Sequence, residues 1–128
     1  MKKKVLIVIA NYYKKISESL LLSAVSEIKN FANIKKIEVP GVFEIPVTIS
    51  RNILKYDGFI ALGCVIKGKT PHFDLISKAS TDAIMNLSID HKKPVGNGII
   101  TCLNMKQAIM RGKKGAEAAK AVISVLKQ

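Results

Sequence analysis

Residues 61–66, Ala-Leu-Gly-Cys-Val-Ile, form an apolar run with no polar residue to give it a solvent face. A strand of this kind is buried on both sides, as happens where helices pack on each face of a parallel sheet. The rest of the chain meets that requirement. Residues 4–10, 34–39 and 95–102 read as three further strands, the last weakened by Gly96 and Gly98. Between the first two, Leu20, Ala24, Ile28 and Phe31 recur at helical steps behind Ser17, a residue able to cap a helix. Residues 43–56 and 73–90 read as two more helices, with Pro46 tolerable because it falls in a first turn. Pro40-Gly41 and Asp57-Gly58 supply turns, and residues 104–127 read as a helix broken between Gly112 and Gly115. Strands alternating with helices, joined by right-handed crossovers, predict a three-layer α/β/α sandwich around a four-stranded parallel sheet. The length of 128 residues fits one domain, 1–128.

Twenty-one Lys and Arg against nine Asp and Glu leave a formal net charge of +12, which raises the question of a nucleic-acid partner. The cations are spread as Lys2 to Lys4, Lys14-Lys15, Lys35-Lys36, Lys92-Lys93 and Lys113-Lys114, mostly flanking apolar elements, and aromatic residues are few. That distribution favours solvated element ends, or local capture of a small anion, over a nucleic-acid surface. Cys64 and Cys102 read as small buried hydrophobes rather than a disulfide or metal pair. Lack of a signal peptide or long apolar span leads us to expect a cytoplasmic protein.

The chemistry gathers where strands end. After Ile66 comes Lys-Gly-Lys-Thr-Pro-His-Phe-Asp, placing His72 in a glycine- and lysine-bearing loop at the carboxyl end of the central strand, where open α/β sheets bind ligands. An imidazole there is either a surface or capping residue or a carrier of protons. Asn11-Tyr12-Tyr13 follows the first strand; its rings either cover the core edge or stack on a planar heterocycle. No Gly-x-Gly-x-x-Gly follows that strand, which disfavours dinucleotides, and there is no acidic cluster for magnesium. In the turn after the second strand, Gly41 lets a ligand approach the backbone. Glu44 either accepts hydrogen bonds from hydroxyls or complements a helix N-terminus. Arg111, Lys113 and Lys114 sit at the interrupted helix, as a phosphate receptor using a helix start or as ordinary dipole partners. His91, beside Lys92, reads as a surface histidine.

Residues 40–46, 61–74, 94–101 and 107–119, in that order, resemble the lumazine synthase family. The resemblance rests on Pro-Gly-x-Phe-Glu-Ile-Pro, on Leu-Gly-x-Val-Ile-basic-Gly-x-Thr-x-His-Phe, and on Lys-Gly-x-Glu-Ala-Ala. It implies a flavodoxin-like fold and a transferase of riboflavin biosynthesis. The family condenses 5-amino-6-(D-ribitylamino)uracil with 3,4-dihydroxy-2-butanone 4-phosphate, using no metal or organic cofactor. By motif, Tyr12 would stack on the pyrimidine, beside Cys64, and the Val65 and Ile66 backbones would hydrogen-bond it. Val42, Phe43 and Glu44 would hold ring substituents and the ribityl chain. Gly68, Lys69 and Thr70 would offer amides to phosphate, with His72 as general acid/base. Arg111 and Lys114 would reach that phosphate from a neighbouring subunit of a homopentamer, and Asn97 would face the heterocycle from the same neighbour.

Three features depart from the family pattern: Tyr13 stands for a common asparagine, Asn97 for a common phenylalanine, and only two residues separate Arg111 from Lys114 where a longer Gly-rich link is usual. Two rival readings stand beside this reaction, the first on the same scaffold. A flavin or pterin carrier would need the stacking ring and Glu44 without His72 or the phosphate cations, and a nucleic-acid module would need a clustered basic face.

Overall fold

The computed structural model describes residues 2–128. Its elements run β1 (Lys3–Ala10), α1 (Lys14–Ile28), β2 (Ala32–Val39), a single 3-10 turn (Val42–Glu44), α2 (Ile45–Arg51), β3 (Gly58–Ile66), α3 (His72–His91), β4 (Val95–Cys102), α4 (Met105–Met110) and α5 (Lys114–Leu126). The strands form one parallel sheet in the order β2-β1-β3-β4. Burial follows position. Every residue of β1 from Val5 onward is buried, as is all of β3 except Ile66, while β2 at one edge is buried only at its two ends, Ala32 and Val39. Lys35 and Lys36 stand exposed on that edge, where charge discourages pairing with another chain.

Each face of the sheet carries its own core. On one side Val5, Ile7, Ile9, Ile60 and Leu62 pack against Leu20, Ala24 and Ile28 of α1 and Ala118, Ala119 and Val122 of α5. On the other, Leu6, Val8, Phe59 and Ala61 meet Ile45 and Ile49 of α2 and Ile84 of α3. Three layers result, as the apolar runs require. Among the described residues no helix is long and apolar enough to cross a membrane.

Three local expectations change. Ser17 is not a cap: α1 begins at Lys14, and Ser17, buried within it, donates its hydroxyl to the carbonyl of Ala10 at the end of β1. The expected helix 43–56 is shorter, because the chain first makes the 3-10 turn, runs helical only over Ile45–Arg51, and leaves through tight turns to Asp57, whose carboxylate accepts from Lys4 N–H at 2.8 Å. Pro46 does sit in the first turn of α2, where its missing N–H is harmless. Finally, Gly96 and Gly98 do not weaken β4 so much as admit α5. A Cβ on Gly96 would lie 2.3 Å from the carbonyl oxygen of Ala118 in α5, and one on Gly98 would lie 3.3 Å from Ala118 Cβ and 2.5 Å from Leu62 Cδ2 of β3. The break in the last helix falls where the glycines predict, with α4 ending at Met110 and α5 starting at Lys114.

Candidate active site

β1 pairs with β3 only as far as Ile9 opposite Leu62, whereas β3 stays paired with β4 to Ile66 opposite Cys102. Gly63–Ile66 is therefore flanked by β4 on one side and, among the described residues, by no strand on the other. The chain leaves β1 toward β2 and returns across it to β3, so this open edge lies at the topological switch point, where α/β sheets bind ligands. Backbone polar groups on such an edge are free to pair with the edge of a planar amide-bearing ring.

A cleft of about 530 Å³ surrounds that edge. Cys64, Val65 and Ile66 form its floor, Tyr12 and Tyr13 enter from the end of β1, Gly41 to Glu44 from the turn after β2, and His72 and Ile76 from the first two turns of α3. The turn after β2 can sit on the sheet because Gly63 has no side chain: a Cβ there would lie 2.8 Å from Val42 Cγ2 and 3.2 Å from Ala10 Cβ. Val42 is thereby buried as the turn's anchor, leaving Phe43 66% exposed and Glu44 half-buried, its Oε1 3.2 Å from where a Cβ on Gly41 would stand. Tyr12, 75% exposed, meets Tyr13 edge-on, with ring centroids 4.9 Å apart at 80°. This leaves a large flat surface at the mouth of the cleft.

Neutral groups line the floor. Burial, reinforced by neighbouring Cys102, pushes the Cys64 thiol up to about 12, and burial, with Tyr12 and Cys64 beside it, raises the Tyr13 phenol. Neither side chain is set up as a nucleophile at neutral pH. The imidazole at the rim is His72, exposed as the first residue of α3, with its backbone N–H on Thr70 Oγ1 at 3.4 Å.

Gly68, Lys69 and Thr70 stand exposed in the loop leading to His72 but do not line the cleft. A Cβ on Gly68 would meet nothing within 4 Å, so the fold of the subunit does not require glycine there; its bare backbone faces open space. Asn97, Arg111 and Lys114 belong to a second pocket, about 480 Å³, built by β4 and the α4–α5 bend together with Thr101, Lys113 and Glu117. The two pockets share no lining residue. In the second, Arg111 Nη1 donates to the Thr101 carbonyl at 3.2 Å, and Lys114 Nζ lies 3.8 Å from Glu117 Oε1.

The start of α5 differs from its expected part as a phosphate receptor. Lys114 N–H donates to the Arg111 carbonyl, Gly115 N–H to that of Gly112, and Ala116 N–H to Ser23 Oγ. With these amides engaged inside the protein, the positive charge offered to an anion in this pocket comes from side chains, Arg111, Lys113 and Lys114, with the Glu117 carboxylate beside them. Ile76 is a cleft residue that sequence reasoning missed, and Tyr13, whose ring the sequence offered together with that of Tyr12, lines the cleft as well. Ile76 is one helical turn beyond His72 on the same face, a spacing that could have identified it.

The match to known proteins covers the same ground. The profile of the 6,7-dimethyl-8-ribityllumazine synthase family matches residues 2–128. A 6,7-dimethyl-8-ribityllumazine synthase from Bartonella tribocorum is 44% identical, with 98% of this chain and 91% of the relative covered. One from Bartonella bacilliformis is 41% identical over 96% and 90% of the two chains, and 6,7-dimethyl-8-ribityllumazine synthase 1 of Rhodopseudomonas palustris is 42% identical over 97% and 84%. The first alignment spans 137 positions, nine more than the 128 residues here, so that relative carries residues without a counterpart in this chain. A four-stranded parallel sheet, a cleft at its switch point and likeness along essentially the whole sequence lead to one conclusion: the chain belongs to the 6,7-dimethyl-8-ribityllumazine synthase family.

Proposed function

We propose that the protein condenses 5-amino-6-(D-ribitylamino)uracil with 3,4-dihydroxy-2-butanone 4-phosphate to 6,7-dimethyl-8-ribityllumazine, releasing phosphate and water, in riboflavin biosynthesis. The observation that carries this reading is the meeting, in one cleft, of an unpaired strand edge, a carboxylate and an imidazole. The pyrimidine amine is itself the nucleophile toward the ketone, so the protein needs no lysine or cysteine nucleophile. Its tasks are to align two reactants, move protons and receive departing phosphate.

In this reading Tyr12 stacks on the ring while the Val65 and Ile66 backbones bind its amide edge. Glu44, with Val42 and Phe43, receives the ribityl hydroxyls. His72 transfers protons as the imine forms and phosphate leaves, and the Gly68–Thr70 backbone faces the phosphate. Residues 1–128 act as one domain, in the cytoplasm, where buried free thiols such as Cys64 and Cys102 persist.

Arg111, Lys114 and Asn97 complete the cleft of an adjacent subunit in a homopentamer. Two observations support this: the cation pocket is separate from the His72 cleft, and α2 and α3 leave Val47, Leu75, Met85 and Ile89 exposed as an apolar face suited to subunit contact.

Mixing purified protein with both substrates and recording lumazine fluorescence tests the reaction; absence of product rejects it. Mixing His72→Ala with Arg111→Ala after dissociation, at a butanone phosphate concentration too low to saturate the Arg111 variant, tests the shared site. Random pairing restores about a quarter of the sites if each draws on two subunits, and none if His72 and Arg111 act within one chain.

A further inference from the structure

The α4–α5 bend is held by one side chain from a different helix. Ser23, on α1, donates its hydroxyl to the carbonyl of Gly112 at 2.7 Å and accepts from Ala116 N–H at 3.0 Å. One oxygen thus ties the residue just after Arg111 to the first turn of α5, which begins at Lys114. The second bond gives α5 a cap from outside, since its own N-cap residue, Lys113, makes no side-chain capping bond. The bend is pressed onto α1 at two points: a Cβ on Gly112 would lie 2.2 Å from Ser19 Oγ, and one on Gly115 would lie 2.0 Å from the Leu20 carbonyl oxygen. With only Gly112 and Lys113 between the two cations, a shift at this bend moves Arg111 and Lys114 relative to each other.

We propose that Ser23 is a positioning residue for the phosphate substrate: its hydroxyl sets the spacing of Arg111 and Lys114 without touching the ligand. This rests on the reading that those cations hold phosphate. It matters here because the first amides of α5 are engaged internally, so anion recognition depends on where the two side chains are placed. Thr101 and Glu117 orient the cation heads; Ser23 fixes the backbone that carries them.

The test compares the wild type, Ser23→Ala and Arg111→Ala in steady-state lumazine formation, with inorganic phosphate as inhibitor. Ser23→Ala should raise KM for the butanone phosphate and Ki for inorganic phosphate about three- to tenfold, the range expected for losing a hydrogen bond that positions a group. KM for the pyrimidine should stay unchanged. Equal rises in both KM values, or a lower melting temperature with both KM values unchanged, would make Ser23 purely structural and overturn the proposal. If Arg111→Ala weakens phosphate and Ser23→Ala does not, the positioning role alone fails; if neither does, the phosphate reading fails with it. Should Ser23→Ala not fold, Ser23→Cys, of nearly the same size and a weaker hydrogen-bonding group, is read against the same outcomes.

Discussion

Gly63 of β3 lies directly beneath Val42, close enough that a Cβ would come within 2.8 Å of Val42 Cγ2. A missing side chain in the sheet thus decides where the turn bearing Phe43 and Glu44 comes to rest. Gly63→Ala should push that turn away, destabilising the fold by about 1–3 kcal/mol as overpacking does. It should also raise KM for the ribityl pyrimidine more than for the phosphate substrate. Urea unfolding and substrate titrations check both; an unchanged pyrimidine KM would mean that the turn does not hold the ribityl chain.

His72 stands at the rim of the cleft on the first turn of α3, at the surface and outside both cores. His72→Ala should therefore leave stability and pyrimidine binding nearly unchanged while lowering kcat about a hundredfold to ten-thousandfold, the usual worth of a general acid/base. Stopped-flow lumazine fluorescence measures this. Wild-type turnover in the variant would remove His72 from the mechanism.

Arg111 reaches its pocket with one guanidinium nitrogen on the Thr101 carbonyl, leaving the other donors of the fork to a ligand. Arg111→Ala should weaken the butanone phosphate about tenfold or more and leave the pyrimidine affinity unchanged. Equal losses in the two affinities would argue against a phosphate contact.

Gly115 opposes the usual helix preference. Alanine is the better helix former by about 1 kcal/mol, yet a Cβ here would lie 2.0 Å from the Leu20 backbone oxygen, which cannot rotate aside. Gly115→Ala should lower the melting temperature by several degrees, and a gain in stability would show that α5 can move off α1 at little cost.

Cys64 makes stability depend on alkaline pH. Burial, then Cys102, lifts its pKa from 9.0 to about 12, so the folded state holds this proton more tightly than the unfolded chain. The contribution is fully present below about pH 9 and is lost as pH rises toward about 12. Between about pH 8.5 and 10.5 the urea midpoint of Cys64→Ala should fall less than that of the wild type; parallel declines would mean that the thiol keeps an ordinary pKa.

How much of this was legible in the sequence varies from residue to residue. The run 61–66 disclosed a strand covered on both faces, because no exposed strand tolerates such a run, and the polar residues after it located His72 at a strand's carboxyl end. Other residues were ambiguous one at a time. Ser17 looks like a cap in sequence, yet its hydroxyl meets the Ala10 carbonyl; Gly96 and Gly98 look like weak points, yet they are where α5 touches the sheet. Tyr13 becomes a cleft residue only because β1 stops pairing at Ile9 and turns the next residues over the floor.

Local periodicity and strand composition are properties of neighbours in the chain, and from them alone came the four strands, the helical layers and the loop that leads to His72. The tertiary structure decided contacts between residues far apart in sequence. Gly63 beneath Val42, 21 residues away, seats the turn of the cleft, and Ser23 joined to Ala116 across 93 residues spends the helix-start amide that the sequence had offered to phosphate. No window along the chain holds both partners of such a contact, and each is fixed only when the layers close and every buried donor must find its acceptor.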